Sequence, residues 1–118
     1  MPRATNSVAS RRRRKKVLKL TKGYWGAKSK LFRIAHTQML KSLSYAYRDR
    51  RARKRDFRSL WIIRIGIAAS NEGVSYNKFI RGLKDAGVVI NRKILAEFAV
   101  NNHEAFINLV KVAKESIS

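Results

Sequence analysis

Twenty of the first 58 residues are Lys or Arg, and only Asp49 and Asp56 oppose them, so this half carries a net charge of +18. Like charge at that density works against collapse into a compact core, because every pair of neighbours repels. The second half reads differently. Residues 59–118 hold eight basic residues against five acids, a net of +3, and the two halves make up the +21 of the 118-residue chain. The pattern predicts a polycationic extension over 1–58 joined to a small globular domain over 59–118.

A long basic arm calls for a partner with a regular line of negative charge, which nucleic acid supplies. An anionic membrane is the rival, but it requires a continuous apolar face opposite the charges. The stretch from Arg48 to Asp56 has no such face. No membrane span is expected either, since the apolar run from Trp61 to Ala69 is broken by Arg64. Val17-Leu18-Lys19-Leu20 is too short and too charged for the core of a secretory signal. There is no cysteine, which excludes disulfides and thiolate-bound zinc. A soluble, cytoplasmic protein is expected.

The periodicity is helical throughout. With Pro2 the only proline, no proline interrupts a helix downstream. Ser7 or Ser10 is placed to cap a first helix through about Lys22, which Gly23 would stop. Between Ala27 and Ile65 there is neither glycine nor proline, and Phe32, His36, Met39, Leu43 and Ala46 recur at spacings of four and three. Phe57, Trp61, Ile65 and Ala68 continue that spacing, and Leu60, Ile63 and Ile67 add a second apolar face. One helix from about 27 to about 70 follows, roughly 65 Å long. Its all-polar middle should project, and its end beyond Phe57 should dock through both apolar faces. Three short helices complete the reading. Ser75 caps one over Tyr76 to Asp85, with Tyr76, Phe79, Ile80 and Leu83 inward and Gly87 as terminator. Asn91 caps a second through Val100, and Asn101 with Glu104 forms a capping pair for a third carrying Phe106, Leu109, Val110 and Ala113. The predicted fold is all-α, a long basic N-terminal helical extension projecting from a small C-terminal helical bundle.

Nothing in the sequence nominates a catalytic centre. His36 falls on a helical stripe and His103 in a first helical turn, the acids are scattered, and phosphate-binding glycine loops and histidine pairs at metal spacing are absent. No enzyme activity, cofactor, metal or small-molecule substrate is expected. The basic residues do nominate an interface. Arg11, Arg12, Arg13, Arg14, Lys15 and Lys16 are followed by Lys19, Lys22 and Lys28, and then by Arg48, Arg50, Arg51, Arg53, Lys54, Arg55 and Arg58. A guanidinium bridges phosphate oxygens with two parallel hydrogen bonds and stacks on exposed bases. On a helix Arg48, Arg51, Arg55 and Arg58 share one side while Arg50, Arg53 and Lys54 point elsewhere. A rod basic around its circumference suits a crevice between several strands of a folded RNA better than one face of a duplex. Asp49, four residues before Arg53, is placed to steady a guanidinium for about 0.3–0.5 kcal/mol. Tyr24 and Trp25, bracketed by Gly23 and Gly26, either stack on unpaired bases or cover the start of the long helix. Trp61 belongs to the core.

The strings Arg-Arg-Arg-Arg-Lys-Lys-Val-Leu-Lys-Leu (11–20), Lys-Gly-Tyr-Trp-Gly (22–26), Ala-Tyr-Arg-Asp-Arg-Arg (46–51), Lys-Arg-Asp-Phe-Arg (54–58) and Leu-Trp-Ile (60–62) closely resemble bacterial large-subunit ribosomal protein twenty. The resemblance spans essentially the whole chain. It implies a helical extension threaded into large-subunit ribosomal RNA, a C-terminal helical domain on the outer side, neighbouring ribosomal proteins as partners, and a role in early subunit assembly. It also implies repression of the family's own messenger RNA through the C-terminal domain. The implied RNA contacts are the basic residues of 11–28 and 48–58, together with Arg64. Gly66 and Ser70 stand where the family pattern has Asn and Arg, so no contact is carried over to them. The rival classes are an architectural DNA-binding protein, which would need dimerisation and wedge residues, and a cationic membrane-active protein.

Overall fold

Within the glycine-free stretch 27–65 the backbone is α-helical from Phe32 onward. The computed structural model describes Arg3 and residues 5–117; among them it contains helices and no strand, and Pro2 lies outside them. The helices are α1 (Ser7–Leu20), a 3-10 turn (Gly26–Ser29), α2 (Phe32–Asn71), α3 (Tyr76–Asp85), α4 (Arg92–Asn101) and α5 (His103–Ile117). The chain divides between Arg51 and Ala52 into two compact units, each taking part of α2.

In the first unit, α1 begins one residue earlier than a Ser7 cap requires. Asn6 holds the cap position at φ 60° without a side-chain bond, so neither Ser7 nor Ser10 serves as the cap. The exit follows at Thr21, whose hydroxyl donates to the carbonyls of Val17 and Leu18 (3.3 Å each), and Gly23 takes φ 87°. The long helix starts at Phe32 rather than near residue 27. Gly26 at φ 57° cannot enter an α-helix, and residues 26–29 wind as a 3-10 turn in which the Ser29 hydroxyl donates to the Gly26 carbonyl (3.0 Å). α1 lies against the first turns of α2, with the Arg14 guanidinium 5.6 Å from the centre of the Phe32 ring and Val17, Thr21 and Ala35 buried. The apolar stripe fades beyond that contact. Phe32, His36 and Met39 are half-buried, whereas Leu43 and Ala46 are exposed.

The second unit owes its core to the end of α2 and the three short helices. Ile65, Ala69, Phe79, Leu95, Phe106 and Val110 are essentially inaccessible, and Trp61 packs partly buried against them. α2 ends with Gly73 at φ 74°. The Gly73 amide donates to Ser70 and the Val74 amide to Ala69, a left-handed glycine cap that satisfies the last carbonyls. α3 ends the same way, with Gly87 at φ 71° and amide bonds from Gly87 to Lys84 and from Val88 to Leu83. Ser75 occupies the α3 cap position but makes no side-chain bond. Asn91 does make one, its Oδ1 accepting from the Ile94 amide at 2.9 Å.

Two further expectations are corrected. The cap of α5 is Asn102, accepting from the Ala105 amide at 3.2 Å, and not Asn101, because α4 runs through Asn101 and leaves Asn102 as the non-helical residue between the two helices. The second apolar face of α2 does not dock: Ile63 and Ile67 are about three-fifths exposed and Leu60 is exposed as well. The reason lies in how α3 and α5 pair. Gly82 brings α3 so near α5 that a Cβ there would stand 2.9 Å from the Cα of Ala113, and the Ser116 hydroxyl donates to the Gly82 carbonyl at 2.7 Å. α3 and α5 thus cover much of each other's apolar surface, and only the Trp61, Ile65, Ala68 and Ala69 side of α2 is covered.

The two helical glycines therefore predict opposite outcomes. A Cβ at Gly66 would meet only the Cβ of Tyr76 at 3.9 Å, an ordinary contact. Gly66→Ala should raise the stability of the second unit by about 0.5–1 kcal/mol through helix propensity. Gly82→Ala should lower it by about 1–3 kcal/mol, since the clash is with backbone. Urea unfolding of the full chain with each replacement measures both signs.

Candidate nucleic-acid interface

Placed by α1, Arg11 to Lys16 and Lys19 are all exposed. Six consecutive helical residues step through all directions at about 100° each, so this segment is basic on every side. One of the six has an intramolecular role as well, Arg14 lying over Phe32. Lys19 sits in the last turn of α1, where a cation complements the carbonyl end of the helix. Lys22 and Lys28 flank the joint and are exposed. Between them Tyr24 is half-buried, and the Trp25 indole is 90% exposed. Trp25 therefore does not cover the start of α2. Its large apolar faces stand in water, the condition under which an unpaired base gains most by stacking on them.

On α2 the first unit carries Arg48, Arg50 and Arg51, all exposed. Tyr45 lies among two cations, with the Lys41 amine 4.9 Å and the Arg48 guanidinium 4.5 Å from its ring centre. Arg51 lies over Tyr47 at 5.3 Å. These contacts follow from spacing, since residues three or four apart on a helix are neighbours. The carboxylate of Asp49 accepts from Nε of Arg48 at 2.9 Å, and Arg48 rather than Arg53 is its ion-pair partner. Arg48 thus contacts both the Tyr45 ring and the Asp49 carboxylate. The hydrogen bond and charge of Asp49 push the Arg48 guanidinium up from the ordinary arginine value.

In the second unit Arg53, Lys54, Arg55 and Arg58 are exposed on α2. Arg64 lies in a shallow concavity of about 250 Å³ that it shares with Trp61, Lys93 and Glu97. Sequence reasoning passed over Lys41, Tyr45, Tyr47 and Lys93. For the tyrosines the signal was available: each stands three or four residues before an arginine in a predicted helix. Among the described residues no group of three or more His, Asp or Glu could hold a metal ion, and no helix is long and apolar enough to cross a membrane. The arrangement can bind anions and stack on bases.

The family model for ribosomal protein L20 matches residues 3–109. The chain belongs to the ribosomal protein L20 family. It is 62% identical to the large ribosomal subunit protein bL20 of Carboxydothermus hydrogenoformans over 117 residues, which is 99% of this chain and all of that relative. The bL20 protein of Pelotomaculum thermopropionicum is 63% identical over the same coverage, and that of Caldanaerobacter subterraneus is 56% identical over 118 residues. L20 proteins are structural components of a ribosomal subunit rather than enzymes. The L20 match takes in both basic segments and most of the core of the second unit, ending just before Val110 and Ala113.

Proposed function

We propose that this chain is a structural and assembly protein of the large ribosomal subunit, working in the cytoplasmic ribosome. The observation that carries the reading is a charge of +18 over residues 1–58, most of it displayed on exposed helical residues of α1 and α2, in a chain of the L20 family. Its partners are large-subunit ribosomal RNA and neighbouring ribosomal proteins. Residues 1–58 act as the RNA-binding extension. The contacts come from Arg11 to Lys16, Lys19, Lys22 and Lys28, from Arg48, Arg50, Arg51, Arg53, Lys54, Arg55 and Arg58, and from Arg64, with Tyr24 and Trp25 as stacking groups. Residues 59–118 act as the anchor.

The mechanism is electrostatic. Each lysine or arginine that meets a phosphate releases a condensed counterion, and RNA segments that would repel one another are held together across the basic helices. Before RNA is present, repulsion along the arm opposes its helical order and the core around Val17, Thr21 and Ala35 is small; binding completes the ordering. By family resemblance the same reading extends to the chain's own messenger RNA, bound by the C-terminal unit. In reconstitution of large subunits from purified components, omitting this chain should leave a slower-sedimenting precursor, and adding it back should restore the mature particle. Mature particles formed at an undiminished rate without it would count against the assembly role.

A further inference from the structure

Two exposed arginines in the first unit's part of α2 have different surroundings. Arg51 lies over Tyr47 and has no carboxylate partner among the described residues. Arg48 is held on two sides, by the Tyr45 ring at 4.5 Å and by Asp49 through Nε at 2.9 Å. No hydrogen bond among the described residues engages its two terminal nitrogens. Tyr45, Arg48 and Asp49 stand at i, i+3 and i+4, so one helix face carries the whole group.

The pair has almost no net charge, and Asp49 is one of only two acids in the first 58 residues. A carboxylate against the guanidinium cancels most of what Arg48 would gain from a phosphate. It leaves intact the directed donors at the outer end, and it fixes their direction. A fixed fork of two N–H donors with little net charge is poorly suited to phosphate and well suited to a base edge, and the commonest partner of that fork is guanine O6 with N7.

We propose that Arg48, steadied by Asp49 and Tyr45, reads the O6/N7 edge of a guanine in the bound RNA, while the basic residues around it neutralise phosphates. The guanine has to stand outside a regular A-form helix, whose major groove is too deep and narrow for a side chain to enter. Base contacts specify where phosphate contacts only position, so this group supplies selectivity that the rest of the arm lacks. The inference rests on the RNA-binding reading and adds a residue-level role to it.

The test uses the full chain, transcribed large-subunit ribosomal RNA, and an unrelated structured RNA of similar length. The double replacement Arg48→Gln with Asp49→Asn leaves the net charge unchanged. It should weaken binding to the ribosomal RNA by roughly tenfold or more, leave binding to the unrelated RNA unchanged, and leave both salt slopes as they were. Methylation of guanine N7 by dimethyl sulfate should show at least one guanine protected by the parent chain and open with the double variant. Arg51→Gln, by contrast, should weaken both RNAs alike and make the slopes shallower by about one. If the double variant also lowers the slope on both RNAs, Arg48 is a phosphate contact and the proposal fails. It fails equally if no guanine N7 changes. Should the parent chain itself not prefer ribosomal RNA, the reading beneath the proposal is what has failed.

Discussion

Phe79→Ala is expected to destabilise the second unit by about 3–5 kcal/mol, the usual cost of emptying a fully buried aromatic site. Phe79 and Phe106 are both inaccessible, with ring centres 5.1 Å apart and planes tilted by 43°. They join α3 to α5 at the centre of the core, where Gly82 has already brought the two backbones together. A unit of this size typically holds only ~3–10 kcal/mol in all. The replacement should therefore leave it largely unfolded at 37 °C, and in the full chain it should abolish the urea transition of this unit or shift it far down. A loss below about 1 kcal/mol would mean that the core is organised elsewhere. Leu60→Gln, on the face of α2 that lies open, should change stability by less than about 0.5 kcal/mol in the same experiment.

The second large effect concerns charge. Changing Arg11, Arg12, Arg13, Lys15 and Lys16 together to Gln removes five exposed cations and spares Arg14, which lies over Phe32. Every phosphate left without its cation should make the salt dependence shallower by about 0.7–0.9. The slope should thus fall by about 4, with affinity near 0.15 M salt lower by about two to four orders of magnitude. Glutamine keeps helix propensity close to that of the residues replaced, so circular dichroism should show α1 unchanged in the bound state. Filter binding or fluorescence anisotropy across a salt series reads the slope directly.

Much of this was legible in the residues themselves. The helix ends at Gly87 and the cap at Asn91 follow from local chemistry, in which one residue type meets one backbone need, and such signals survive whatever packs around them. The helical character of the whole chain follows equally from the spacing of its apolar residues and its single proline. What the pattern could not show was which apolar residues find a partner. Ile63 and Ile67 read as core because they repeat at helical spacing, yet coverage depends on how α3 and α5 divide their surface, a tertiary property. Gly82 held the clue, since a glycine inside a helix is costly and signals close approach. The cap at Asn102 was missed by one residue because Asn101 and Asn102 are chemically alike and only the end of α4 separates them.

The basic residues of the proposed interface are plain as a class, since charge is a property of sequence. Their individual roles are not. Asp49 looked like a support for Arg53 on spacing alone, but it pairs with Arg48, which also lies over the Tyr45 ring. That contact turns one of several arginines into a group with a fixed direction. Tyr47 and Arg51 repeat half of the arrangement without the carboxylate.

The central claim is that folded ribosomal RNA is held chiefly by charge displayed on the helices of the first 58 residues. It is tested most directly by the salt dependence of binding of the full chain to large-subunit ribosomal RNA, with duplex DNA of equal charge as competitor. The account predicts a steep slope, about −6 or steeper, and a preference for the RNA that the DNA does not overcome. A slope shallower than about −2, or displacement by duplex DNA at equal charge, would contradict it.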